Sequence, residues 1–76
     1  MFENEQTARY VLERFLHLNE QMDQTVIAIE PMTSPEEYRA FKRSVGYVMY
    51  EVFDRVVEPI CKRHPSLTPP GMIDEK

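Results

Sequence analysis

The 76-residue sequence contains one cysteine, two glycines and no tryptophan. A single cysteine cannot form a disulfide within the chain, so the sequence excludes a small fold held together by disulfides. No apolar run approaches the roughly 18 residues that a membrane-spanning helix needs, and the first residues lack the basic flank and apolar core of a signal peptide. We therefore expect a cytoplasmic protein without membrane contact.

Positive charge is also scarce. Nine Lys and Arg residues against thirteen Asp and Glu residues give a net charge of −4. This balance disfavours nucleic acid as a partner, because binding to a phosphate backbone depends on cationic side chains. The hydrophobic content of 42% is close to that of ordinary globular chains. Length and composition together predict one small folded domain.

The first half of the sequence predicts one long amphipathic helix. Residues 4–30 contain neither glycine nor proline, and apolar residues recur there at alternating spacings of three and four. This heptad-like row consists of Ala8, Val11, Phe15, Leu18, Met22, Thr25 and Ile29. Such a spacing places the row on one side of a helix. Asn4 is a suitable N-cap residue, and Pro31 disfavours helical geometry at the residue before it.

A second helix is predicted over residues 35–64. In the segment Ser34-Pro35-Glu36-Glu37, the serine and the last glutamate have the spacing of a capping box, with proline at the first helical position. The four residues from Pro31 to Ser34 favour an antiparallel hairpin, because short connections join neighbouring helices. Pro59 predicts a bend, since it removes the hydrogen bond to the carbonyl of Arg55.

The domain organisation follows from these elements. We expect an all-α helical hairpin domain over residues 1–64. The remaining residues, 65–76, are rich in proline and show little periodicity. They predict a flexible tail.

The apolar surface of the second helix is broad in the helical projection. One strip contains Phe41, Val45, Val48, Val52 and Val56, and an adjacent strip contains Met49, Phe53, Val57 and Ile60. Together they cover about half of the helix circumference, which is more than one partner helix occupies. We therefore predict that two hairpins pair into a four-helix bundle. The predicted dimer interface consists of Val45, Met49, Val52, Phe53, Val56 and Ile60.

The sequence predicts a small non-enzymatic interaction module or regulatory subunit that acts as a homodimer and binds another protein. We expect no catalytic residue, since no serine or cysteine has a recognisable base beside it. We also expect no cofactor and no metal, because one cysteine and one histidine without a second pair match no strong zinc pattern. One alternative is a monomeric hairpin that captures a helix of a larger protein, as an accessory subunit or antitoxin-like inhibitor would. Another is a metal-binding dimer, in which Cys61 and His64 of each chain provide the four ligands that zinc prefers.

Overall fold

The structure is a computed structural model that describes residues 1–69. This part of the chain is all-helical, as the sequence predicts, and contains two long helices and no strand. The first helix consists of α1, Glu5–Ile29, and a 3₁₀ turn, Glu30–Met32. The second helix consists of α2, Pro35–Val52, a π-helical turn, Phe53–Val57, and α3, Glu58–Arg63. The two helices are therefore matched in length, at 28 and 29 residues.

Both helices begin with side-chain caps. The Oδ1 atom of Asn4 accepts hydrogen bonds from the backbone N–H groups of Gln6 and Thr7, at 2.8 and 3.1 Å. The Glu37 N–H donates to the Ser34 hydroxyl at 3.1 Å, and the Ser34 N–H donates to the Glu37 carboxylate at 3.0 Å. These bonds satisfy N–H groups that have no partner within a helix, and a cap of this kind is worth about 1 kcal/mol.

The second helix continues past Pro59 by widening the turn before it. The Glu58 N–H donates to the carbonyl of Phe53, five residues earlier instead of four. Proline has no N–H to donate, and its ring crowds the carbonyl four residues earlier in a regular α-helix. The wider turn accommodates Pro59, and the helix extends to Arg63.

The π-helical turn also changes the direction of the residues that follow it. One additional residue in a helix rotates everything after it by about 100°. In an uninterrupted helix, Val57 and Ile60 would lie on the same strip as Met49 and Phe53. In the structure they point at the first helix instead and are 0% exposed. The sequence therefore assigned these two residues to the wrong side of the second helix.

The core lies at the open end of the hairpin, away from the connection. Ala8 and Leu12 of the first helix form one buried cluster with Val57 and Ile60 of the second. Partly buried residues pack around this cluster: Phe2, Val11, Leu16, Val52, Val56, Cys61 and Leu67. Val26 is the only other buried residue within positions 1–69. The half of the hairpin near the connection therefore has almost no core of its own.

The two ends of the described chain meet at the open end of the hairpin. The His64 ring donates from Nε2 to the carbonyl of Phe2 at 2.7 Å. The Ser66 hydroxyl donates to the Glu5 carboxylate at 3.4 Å, and Leu67 packs against the core cluster. These contacts are those of an antiparallel pair of helices. Residues 70–76 lie outside the described residues, so a flexible tail there stays a prediction.

Candidate functional site

The six residues of the predicted dimer interface differ in how much surface they offer. They are Val45, Met49, Val52, Phe53, Val56 and Ile60. Phe53 is 39% exposed. Four others are half-buried: Val45, Met49, Val52 and Val56. Ile60 is completely buried in the core of its own chain and has no surface for a second one. We therefore remove Ile60 from the interface. Of the other five residues, Met49 points at the first helix, Val56 packs against the core cluster and Phe53 lies among charged residues, so Val45 and Val52 remain.

The apolar row of the first helix does not point straight at the second helix. The buried residues Ala8, Leu12 and Val26 mark the direction of the second helix. Because each residue turns a helix by about 100°, the heptad-like row is centred roughly 60° to one side of that direction. Leu18, in the middle of the row, is consequently 45% exposed. The inner positions are taken by residues one step further along the chain, such as Leu12 and Asn19.

The second helix shows the same displacement before the π-helical turn. Its half-buried residues Tyr38, Val45 and Met49 mark the direction of the first helix. The strip that includes Phe41 and Val48 is centred roughly 50° away from that direction. Phe41 and Val48 are therefore 40% and 51% exposed.

The two displaced rows lie on the same side of the hairpin. Viewed along its own direction, each helix has its row displaced in the same rotational sense. Two right-handed helices that run antiparallel bring such rows to a common side. We call this surface the apolar face, and it consists of Val11, Leu18, Met22, Ile29, Phe41, Val45, Val48 and Val52. Leu18, Phe41 and Val48 are exposed, and the other five are half-buried against their own chain.

Charge distinguishes the apolar face from the opposite side of the hairpin. The opposite side carries exposed charged residues on both helices: Glu5, Arg9, Glu20, Asp23, Arg39 and Lys42. Ile27 and Phe53 lie among them. The apolar face has no charged residue in its centre, and its rim is formed by Thr7, Arg14, Gln21, Thr25, Glu37, Ser44 and Glu51. An apolar centre with a polar rim is the usual anatomy of a protein interface.

Leu18 and Val48 lie at the centre of the apolar face. In an antiparallel pair of helices, the numbers of two residues at the same height add up to a nearly constant sum. The contact between Phe2 and His64 sets this sum at about 66. Leu18 and Val48 fulfil this condition, and each lies near the middle of its helix. A partner that covers the apolar face therefore buries both side chains.

Cys61 and His64 are both engaged in the fold. Cys61 is a free, half-buried thiol that packs against the core cluster. The Nε2 atom of His64 is held by the Phe2 carbonyl, 62 residues away in the chain, and no local pattern in the sequence predicts that bond. Among positions 1–69, no group of three or more His, Cys, Asp or Glu side chains lies close enough to hold a metal ion.

Asn19 introduces a polar group between the two helices. Its Oδ1 atom is buried and has no hydrogen-bond partner among residues 1–69. Buried polar atoms of this kind are rare, because an unmade hydrogen bond costs about 1–3 kcal/mol. Asn19 therefore lowers the stability of the isolated hairpin.

The connection end of the hairpin carries a shallow pocket of about 420 Å³. Tyr38, Arg39 and Lys42 line one side of it, and Glu30 lies on the other. The Lys42 ammonium group lies 5.9 Å from the centre of the Tyr38 ring. Because charges of both signs border the pocket, it has no strong preference for an anion or a cation.

The chain matches no protein-family model, no curated protein and no solved structure. No helix within residues 1–69 has both the length and the apolar character needed to span a bilayer. A cytoplasmic location stays a prediction from the sequence. The apolar face is thus the feature from which a function can be inferred.

Proposed function

We propose that this protein is a small non-enzymatic interaction module, or regulatory subunit, that acts as a homodimer. In the proposed dimer, two hairpins pack their apolar faces together and form a four-helix bundle. The observation that supports this proposal is the displacement of both apolar rows to one side. Each helix of a four-helix bundle has two neighbours, so its apolar row points between them and not directly at either.

The size of the apolar face supports a partner of two helices. From Val11 to Ile29 the face is about 27 Å long at 1.5 Å per residue, and two helices side by side are about 20 Å wide. Two such faces have a combined footprint on the order of 1,000 Å², which is about the minimum for a biological interface. A single helix captured from another protein is about 10 Å wide and would cover a smaller part of the face.

Another protein has a separate surface available on the proposed dimer. Tyr47 and Tyr50 lie on the outer side of the second helix, with Arg43 one helical turn before Tyr47. Both rings are largely exposed. Tyrosine and arginine are enriched at protein interfaces, since they combine apolar area with hydrogen-bonding groups. This outer surface therefore fits the second part of the proposal, regulation of a protein partner.

Sedimentation equilibrium of the purified chain tests the homodimer. At micromolar concentration we expect a mass of twice the 9.0 kDa of the chain. Leu18→Glu should weaken association by more than ~100-fold, because the charge enters the interface twice and is buried without a partner. Ile27→Glu is the matched control. Ile27 is a similar side chain of the same helix, 61% exposed on the charged side, so this variant should remain dimeric.

Two results would contradict the proposed homodimer or its proposed interface. A wild-type chain that is fully helical by circular dichroism and sediments at 9.0 kDa would refute the homodimer. It would favour the alternative of a monomeric hairpin that captures a helix of a larger protein. Equal association of the Leu18→Glu and Ile27→Glu variants would show instead that the dimer forms through another surface.

A further inference from the structure

We infer that the two hairpins of the dimer pair with their connections at the same end of the bundle, and that the first helix of each copy packs against the second helix of the other. This inference rests on the homodimer proposed above. Two faces can pack symmetrically in two ways, because the two-fold axis can run along the helices or across them. The charges on the rim of the apolar face distinguish the two arrangements.

The direction of the axis decides which residues meet at the centre. An axis along the helices leaves every residue at its own height and exchanges the two helices. Leu18 then packs against the partner's Val48. An axis across the helices reverses the heights and places like helices together, so that Leu18 packs against the partner's Leu18.

Arg14 is a basic residue on the rim of the first helix. Its guanidinium carbon lies 4.9 Å from the centre of the Tyr10 ring, and it forms no ion pair with any residue between positions 1 and 69. Other basic residues, such as Arg9 and Lys62, pair with a glutamate four positions earlier. Arg14 therefore has a charge that a second chain can pair with.

Glu51 is one of the two acidic residues on the rim of the second helix, and the other is Glu37. One of its carboxylate oxygens, Oε1, accepts a hydrogen bond from the Nε atom of Arg55, and the other can accept one more. That bond and the charge of Glu51 raise the pKa of the Arg55 guanidinium. The residue numbers of Arg14 and Glu51 add up to about 66, so they lie at the same height along the hairpin.

The same-end arrangement therefore places Arg14 beside the partner's Glu51, and symmetry produces this pair twice. In the other arrangement Arg14 faces the partner's Gln21 and the partner's Thr25, which are neutral. An exposed ion pair contributes little to affinity, but opposite charges across an interface select orientation and register. The two pairs at the rim therefore favour the same-end arrangement.

Disulfide cross-linking between two single-cysteine variants tests the arrangement. Leu18→Cys and Val48→Cys are prepared separately in a Cys61→Ala background, refolded as an equimolar mixture and oxidised. Separate chains prevent a bond within one hairpin. We expect the covalent dimer to contain one copy of each variant by mass spectrometry, and we expect little covalent dimer from Leu18→Cys alone. Efficient cross-linking of Leu18→Cys with itself would overturn the inference, as would a dimer that cross-links in neither experiment.

Charge exchange is the second measurement. Arg14→Glu should raise the dissociation constant by about 2- to 30-fold, since two exposed ion pairs are lost. Adding Glu51→Arg to the same chain should restore most of the affinity. A double variant no tighter than Arg14→Glu would contradict the pairing. A wild-type chain that sediments as a monomer would refute the homodimer itself, whereas a dimer with Leu18–Leu18 cross-links would refute only the arrangement.

Discussion

Replacing Ile60 with alanine tests the change of direction caused by the π-helical turn. Ile60 is 0% exposed within its own chain and belongs to the cluster of four buried residues that forms the core of residues 1–69. Removing a buried isoleucine down to alanine costs about 2–5 kcal/mol, because the transfer energy is lost and a cavity remains. A chain of this length has a total stability of about 4–11 kcal/mol. We therefore expect Ile60→Ala to remove about a fifth or more of the free energy of unfolding.

Ile27→Ala is the matched control, because it removes the same atoms from an exposed helical position. Ile27 is 61% exposed, and alanine is the better helix former, so the two effects nearly cancel and the free energy of unfolding should change by less than about 1 kcal/mol. The assay is urea unfolding followed by circular dichroism at one protein concentration. If Ile60→Ala is as mild as Ile27→Ala, Ile60 is not in the core and the second helix has no π-helical turn.

Three further substitutions have defined expected outcomes in the same assay. Asn19→Leu should stabilise the protein by about 1–3 kcal/mol, because it removes the unpartnered Oδ1 atom, and a loss of stability would show that Asn19 has a donor. Gly46→Ala should stabilise it by up to about 1 kcal/mol, since an added Cβ meets nothing within 4 Å among residues 1–69; destabilisation would indicate that another chain packs on the charged side, where Gly46 lies, and not on the apolar face. His64→Ala should cost about 1 kcal/mol through the lost bond to Phe2, and faster proteolysis of the amino-terminal residues should accompany it.

The helices and their beginnings could be predicted because their causes are local. Asn4 and the Ser34–Glu37 box act within one helical turn, and the structure shows the bonds that their spacing predicts. The heptad-like row is local too, since it depends only on helical period. The element against which a row packs does not depend on the local sequence. A hairpin and a four-helix bundle require the same period, and only the packed position of Leu12 and Val26 shows that the row is displaced from the neighbouring helix.

The π-helical turn explains the main error in the predicted interface. Pro59 indicated that the helix must change near this point, but a bend, an end and an additional residue all relieve the same crowding. Only the additional residue rotates Val57 and Ile60 into the core. The bond between His64 and Phe2 was beyond prediction for a different reason: it depends on both helices having nearly equal length, so that the chain ends meet.

The π-helical turn divides the second helix into two parts, which have different partners in the proposed dimer. After the turn, Val57 and Ile60 close the core at the open end of the hairpin, and the bond from His64 to Phe2 holds that end together. Before the turn, Phe41 and Val48 point past the first helix and onto the apolar face. This part of the hairpin therefore has little core of its own. One helix can thus complete its own hairpin and still present an apolar row to a second copy. Without the additional residue, Val57 and Ile60 would turn away from the core, and the open end would lose its closure. The same local change that accommodates Pro59 therefore gives the hairpin a closed end and leaves the apolar face free to pair.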